Sequence, residues 1–103
     1  MTRPISEQTV VITGASSGIG RATALQFARQ GANLTLASRN ETALNELADE
    51  VNREGGSPQV VVTDVADWEQ VSRLAKAVVE HHGRIDTWVN NAGVSVYSPF
   101  EDL

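Results

Sequence analysis

The sequence contains no cysteine. That excludes a disulfide framework and any thiolate metal site, and it fits a reducing cytoplasm, which is the expected location. Lysine is nearly absent: Lys76 stands alone beside seven scattered arginines, and the net charge is −5. An acidic chain without a basic patch argues against nucleic acid as a partner, though not against a small anion held by local groups. No apolar run approaches the roughly 20 residues of a membrane span, so no membrane partner is expected. The start, from Met1 to Glu7, lacks the apolar core of a signal peptide. Aromatic residues make up 5% of the chain, with a single tyrosine, Tyr97.

What is present is an ordinary globular composition, 41% hydrophobic and 20% charged. A chain of 103 residues is at most one domain, and it can bury about two-thirds of its unfolded surface. Residues 1–8 read as a loose lead-in containing Pro4. The β-branched, uncharged run Thr9 to Thr13 reads as a buried strand. A helix is expected from about Gly18 to Gln30. Ala24, Leu25, Phe27 and Ala28 give it bulk, Ala22 and Ala28 allow close approach to a sheet, and Gly31 stops it.

Ala32 to Ser38 reads as a second strand, followed by Asn40 as a helix N-cap. Leu44, Leu47, Ala48 and Val51 then form one apolar stripe at helical spacing. The acidic residues Glu41, Glu46, Asp49, Glu50 and Glu54 read as its solvated face. Gly55 to Pro58 is expected to turn. Gln59 to Thr63 reads as a third strand, with Val60, Val61 and Val62 continuous as in a strand covered on both faces. Asp67 with Gln70 resembles a capping box at the start of a third helix striped by Val71, Leu74, Ala75 and Val78. Gly83 ends that helix, Ile85 to Asn90 reads as a fourth strand, and Asn91 to Gly93 turns the chain. Alternating strands and helices predict an α/β fold with a parallel sheet and right-handed crossovers.

The chemistry is concentrated between the first strand and the first helix. Gly14, Gly18 and Gly20 let the backbone come close to a ligand, and free N–H groups at the helix start point at an anion. Spacing distinguishes the readings. A triphosphatase loop needs four residues between its glycines and then a lysine. Here three residues separate Gly14 from Gly18 and no lysine follows. The common dinucleotide fingerprint is G-x-G-x-x-G. The pattern Gly14-x-x-x-Gly18-x-Gly20 does the same work with a longer turn.

Thr13-Gly14-Ala15-Ser16-Ser17-Gly18-Ile19-Gly20 resembles the cofactor turn of the short-chain dehydrogenases/reductases. Asp64-Val65 resembles the family's adenine-contacting pair, and Asn90-Asn91-Ala92-Gly93 resembles its second signature. The resemblance runs from about Thr9 to Leu103. It implies a Rossmann-type doubly wound sheet, of which strands in the order 3-2-1-4 are present. It also implies that Asp64 accepts from the adenine amino group, that Asn91, Ala92 and Gly93 lie along the cofactor ribose, and that Asn90 braces the sheet. Without the resemblance, Asp64 could be a residue before a helix, and the asparagines could be turn residues. Trp68 and Trp88 could stack on a base or belong to the core, and His81 and His82 read as structural, with no metal expected.

The end of the second strand bears on the cofactor. An NAD-binding dinucleotide fold places an acidic residue about 20 positions beyond its glycine turn. This chain has Ser38 there, followed by Arg39. A guanidinium accepts a 2′-phosphate in a charge-assisted, bidentate pair, with Ser38 and Ser17 as hydroxyl donors. The expectation is NADP(H) in preference to NAD(H), although Arg39 could also be an ordinary exposed arginine. The cofactor-binding set is Gly14, Ser16, Ser17, Gly18, Ile19, Gly20, Ser38, Arg39, Asp64, Val65, Asn91, Ala92 and Gly93.

The family's catalysis uses a serine and a Tyr-x-x-x-Lys pair. Tyr97 is followed four positions later by Glu101, and Lys76 lies in the third helix, so no catalytic residue can be carried over. Residues 1–103 are therefore expected to be the N-terminal part of a single dinucleotide-binding domain whose catalytic half is absent, inactive alone. The whole protein would be an NADP(H)-dependent oxidoreductase acting on an alcohol or carbonyl, and a homo-oligomer. The alternatives are a stand-alone, non-catalytic nucleotide-binding module and a sheet-pairing interaction protein.

Overall fold

The β-branched and aliphatic runs form four strands, β1 (Thr9–Thr13), β2 (Asn33–Ser38), β3 (Ser57–Val62) and β4 (Thr87–Asn90). Three helices alternate with them: α1 (Gly18–Arg29), α2 (Glu41–Arg53) and α3 (Trp68–His82). The computed structural model describes residues 3–91. All strand pairs are parallel, as the alternation predicted, and the order is β3-β2-β1-β4, as the family resemblance implies.

Two steps carry the chain outward from β1 to β3, and the third returns it to the far side of β1. With right-handed crossovers, α1 and α2 must share one face of the sheet and α3 must take the other. The core follows this division. Val10, Ile12, Leu34 and Leu36 pack with Ala24, Ala28, Leu44, Leu47 and Val51, whereas Val11 and Ala37 pack with Leu74 and Val78. Alternation along β1 sends Val10 and Ile12 one way and Val11 the other, and all three are fully buried.

The structure corrects several local expectations. The lead-in forms a 3-10 turn over Ile5–Glu7, begun by Pro4, and Ile5 packs on the core. Ala22 is exposed, and the small residues that let α1 approach the sheet are Gly20, Ala24 and Ala28, four apart on one face. Ser57 and Pro58 belong to β3 and not to a turn. Ser57 and Thr63 both donate to β2, so residues an even number away share that direction and Pro58 directs its nitrogen to the open edge, where no donor is needed. As an edge strand, β3 is covered incompletely. Val60 and Val61 pack against opposite cores, and Val62 is 47% exposed. β4 begins at Thr87, not Ile85. It is the other edge of the described sheet, yet Trp88 and Val89 are each half-buried against one of the two cores.

The acidic residues of α2 are largely solvated as expected, but two reach across to α1. Arg21 pairs with Glu50, and Arg29 Nε lies 2.9 Å from Glu54 Oε1.

The amino ends of β1 and β4 are joined by a reciprocal pair. The Thr9 amide donates to Asp86 Oδ2 at 2.8 Å, and the Asp86 amide donates to the Thr9 carbonyl at 2.9 Å. Arg84 Nε reaches both carboxylate oxygens, at 3.1 and 3.0 Å. Partial burial pushes the Asp86 carboxyl up, but the Thr9 hydrogen bond, Arg84 and the more distant Arg3 outweigh it and hold it below its ordinary value of 3.8. A depressed carboxyl adds stability that is complete above that ordinary value and is lost as pH falls through the lower folded value. Acid titration of unfolding should therefore show a steeper loss below the ordinary carboxylate range for the native chain than for Asp86→Asn. Parallel acid profiles would contradict this role.

Candidate functional site

In a parallel α/β sheet each strand hands the chain to a helix at its carboxyl end. The N-termini of α1, α2 and α3 therefore all begin along one edge of the sheet, where their dipoles favour an anion. Register aligns that edge. Thr13 pairs with Ala37 and Asn90, and Ser38 pairs with Val62.

The turn after β1 is built by glycine. Gly14 has φ +63°, the left-handed region that favours glycine. A Cβ on Gly20 would lie 2.2 Å from the Gly14 carbonyl oxygen and 3.0 Å from Ala15 Cα. The third glycine thus lets α1 settle directly on the turn. A Cβ on Gly18 would meet nothing within 4 Å. Ser17 caps α1: its hydroxyl accepts from the Gly20 amide at 3.2 Å and donates to the Gly14 carbonyl at 2.8 Å. The Ala15 amide donates to the Ala37 carbonyl at 3.2 Å and ties the turn to β2. The amides of Gly18 and Ile19 have no intrahelical acceptor, as at any helix start, and remain available to a ligand. Ile19 is 75% exposed beside them.

A cleft of about 470 Å³ opens along this edge. It brings together six of the expected residues: Gly14, Ser16, Ser38, Arg39, Asp64 and Val65. Ser17, Gly18, Ile19 and Gly20 form the helix start beside it and do not line it. Asn91 stands at the end of β4, donates its amide to the Thr13 carbonyl at 3.2 Å, and does not line it either. The Nδ2 atom of Asn91 is buried and has no partner among the described residues. Ala92 and Gly93 lie outside the described residues, as do Tyr97 and Glu101. Asn90 Oδ1 accepts from the Thr13 hydroxyl at 2.8 Å, a bond between β4 and β1 that suits a sheet-bracing residue.

Three lining residues were missed from the sequence: Asn40, Thr63 and Ala66. Asn40 was read only as a cap, and it is one, accepting from the Ala43 amide at 3.0 Å. Thr63 is buried and donates its amide to the Ser38 carbonyl at 2.8 Å, joining the ends of β3 and β2. A hydroxyl residue directly after a run of valines and before Asp64 was the available signal.

The charges in the cleft are divided between two residues. Arg39 is exposed and makes no ion pair among the described residues, whereas Arg3, Arg21, Arg29 and Arg84 all do. Ser38 Oγ accepts from the Asn40 amide at 3.1 Å, which leaves its own proton to donate elsewhere. Asp64 Oδ1 accepts from the Ala66 amide at 2.9 Å, and Oδ2 has no partner among the described residues. Free helix-start amides, an unpaired guanidinium beside a hydroxyl, and a carboxylate oxygen with no partner among the described residues thus lie along one edge of the sheet.

His81 and His82 lie apart from this edge, at the end of α3, with ring centroids 4.5 Å apart. Burial first, then the charge of His81, lowers the His82 pKa from its ordinary value. Among the described residues no three His, Cys, Asp or Glu side chains are grouped to hold a metal, and no helix is long and apolar enough to cross a membrane.

A family model described as short chain dehydrogenase matches residues 8–103. An uncharacterized oxidoreductase of Bacillus subtilis is 46% identical over 101 residues, which is 98% of this chain and 28% of that protein. The 11-beta-hydroxysteroid dehydrogenase A of Arachis hypogaea is 44% identical over 104 residues, 99% of this chain and 30% of that protein. Among solved structures, NAD+-bound xylitol dehydrogenase superposes with TM-score 0.84 and 34% identity, covering 89% of this chain and 35% of that one. The apo glucose dehydrogenase of Caenorhabditis elegans gives TM-score 0.81 and 36% identity over 90% of this chain and 40% of that one. The chain thus spans less than a third of the length of the two curated relatives.

The two helix-start glycines separate structure from binding. Gly20→Ala should cost about 1–3 kcal/mol through overpacking against the Gly14 carbonyl. Gly18→Ala, with open space around its new methyl, should leave stability within about 0.5 kcal/mol while weakening nucleotide binding. Thermal melts and nucleotide titrations of both variants check this, and equal melting losses would refute it.

Proposed function

The chain belongs to the short-chain dehydrogenase family, and from that premise we propose that it is the cofactor-binding part of an NADP(H)-dependent oxidoreductase. Residues 1–103 form the N-terminal part of one dinucleotide-binding domain, and the groups that perform the chemistry lie in the remainder of the protein. The amides of Gly18 and Ile19 hold the pyrophosphate, with Gly14, Ser16, Ser17 and Gly20 shaping the turn around it. Arg39 and Ser38 take the 2′-phosphate. Asp64 Oδ2 accepts from the adenine amino group beside Val65, and Asn91, with Ala92 and Gly93, runs along the ribose. When bound, the nicotinamide supplies or accepts a hydride.

The observation that carries the cofactor choice is Arg39, an unpaired guanidinium lining the same cleft as Gly14, directly after Ser38, which stands where an NAD-binding fold of this kind would place a carboxylate. A carboxylate there would repel a 2′-phosphate, and a guanidinium attracts it. The named relatives include steroid, glucose and xylitol dehydrogenases, all of which point to an alcohol or carbonyl as the substrate class. The proposed setting is a homo-oligomeric, cytoplasmic enzyme.

Equilibrium binding of NADPH and NADH tests the reading. NADPH should bind tighter by about 10- to 100-fold, the worth of a charge-assisted pair, and Arg39→Asp should reverse the order. Equal affinities, or tighter NADH, would overturn it.

A further inference from the structure

Asp67 and Gln70 were expected to form a reciprocal capping box at the start of α3. They do not. Asp67 Oδ1 accepts from the Glu69 amide at 3.0 Å and from the Gln70 amide at 3.4 Å, so the cap itself is present. The Gln70 side chain, however, does not return to the Asp67 amide, which donates to the Asp64 carbonyl at 3.0 Å. Its Nε2 donates to Asp67 Oδ2 at 3.1 Å, and its Oε1 accepts from the Asp64 amide at 2.8 Å. These partners fix the orientation of the Gln70 amide, because a carboxylate accepts only from the nitrogen end and an N–H donates only to the oxygen end.

Asp64 is thereby pinned through every polar atom but one. Its amide goes to Gln70, its carbonyl to Asp67 and its Oδ1 to Ala66. Its Oδ2 alone is left, on a residue that lines the cleft. Gln70 does not line the cleft. The relay runs from the first turn of α3, through Asp67 and Gln70, to the backbone of Asp64.

We propose that Gln70 is a positioning residue for base recognition: by accepting the Asp64 amide it aims Asp64 Oδ2 at the exocyclic amino group of a bound purine. This rests on the dinucleotide reading of the cleft given above. Without the Gln70 carboxamide the Asp64 amide loses its acceptor, the Asp64 to Asp67 turn relaxes, and the free oxygen loses its aim. The turn sits at the base end of the cleft, so the effect falls on discrimination between bases, with the phosphate contacts left intact.

The test pairs two ligands with three chains. The ligands are NADPH and its deamino analogue, which carries hypoxanthine in place of adenine and so lacks the exocyclic amino group. The native chain should prefer NADPH. Gln70→Ala should weaken NADPH by about three- to tenfold, the worth of one hydrogen bond, and change the affinity for the deamino analogue less than about twofold. The double variant Asp67→Asn with Gln70→Glu exchanges donor and acceptor across the Asp67–Gln70 contact, keeps the cap and the net charge, and still offers an acceptor to the Asp64 amide. It should restore the native preference, and Gln70→Leu, which keeps the bulk but offers no acceptor, takes the place of Gln70→Ala should that variant fold poorly. Equal losses on both ligands, an unchanged NADPH affinity in Gln70→Ala, or no restored preference in the double variant would overturn the role of Gln70 alone. A native chain that binds neither ligand, or that does not distinguish them, would overturn the base-recognition reading of Asp64 and this role with it.

Discussion

One contact fixes the geometry of this chain: the backbone of α1 at Gly20 lies against the carbonyl of Gly14, with no space for a single added carbon. It brings the start of α1 down onto the carboxyl end of β1, one of the two strands with neighbours on both sides. The Ser17 hydroxyl closes the same turn, accepting from Gly20 and donating to Gly14. Behind it, Val10, Val11 and Ile12 bury both faces of β1, which makes the turn a rigid platform. Because the sheet is parallel, α2 and α3 begin at the same edge, and the cleft forms where loops from β1, β2 and β3 meet.

The electrostatics of this edge are local. A net charge of −5 would seem to disfavour an anionic ligand. Yet several of the acidic residues are paired away from the cleft. Glu50 and Glu54 pair with arginines of α1, and Asp86 pairs with Arg84 at the opposite edge of the sheet. What lines the cleft is an unpaired arginine and a carboxylate with one free oxygen, beside the free amides at the start of α1. Screening confines the influence of exposed charges to about 10 Å at ordinary ionic strength, so the arrangement in the cleft outweighs the total.

Much of this was legible in the sequence, because the decisive features are local. Glycine spacing around Gly14, Gly18 and Gly20, the caps at Asn40 and Asp67, and the stripes of α2 and α3 each depend on a few neighbouring residues. The alternation of elements then gave a parallel sheet, and the family resemblance gave its order. The misreadings share a cause: each needed knowledge of which way a group faces. Pro58 looks like a strand breaker until β3 is known to be an edge with that nitrogen turned outward. Ala22 and Ala28 looked equivalent until the helix was rotated onto the sheet, and Ala22 then faced solvent. Thr63 and Asn40 entered the cleft through the side-by-side placement of β2 and β3, a long-range fact. Gln70 looked like a capping partner by spacing, yet its amide reaches back beyond the cap to Asp64.

The most direct test of the central claim, that the carboxyl edge of the sheet is a dinucleotide site, is amide chemical-shift mapping of the isotope-labelled chain during titration with NADP+. The expected result is saturable shifts confined to Gly14 through Gly20, Ser38 to Asn40, Asp64 to Ala66, and Asn91 to Gly93, with Thr9 and Asp86 at the opposite edge unmoved. Shifts centred on the amino edge, or no saturable shifts at all, would contradict it.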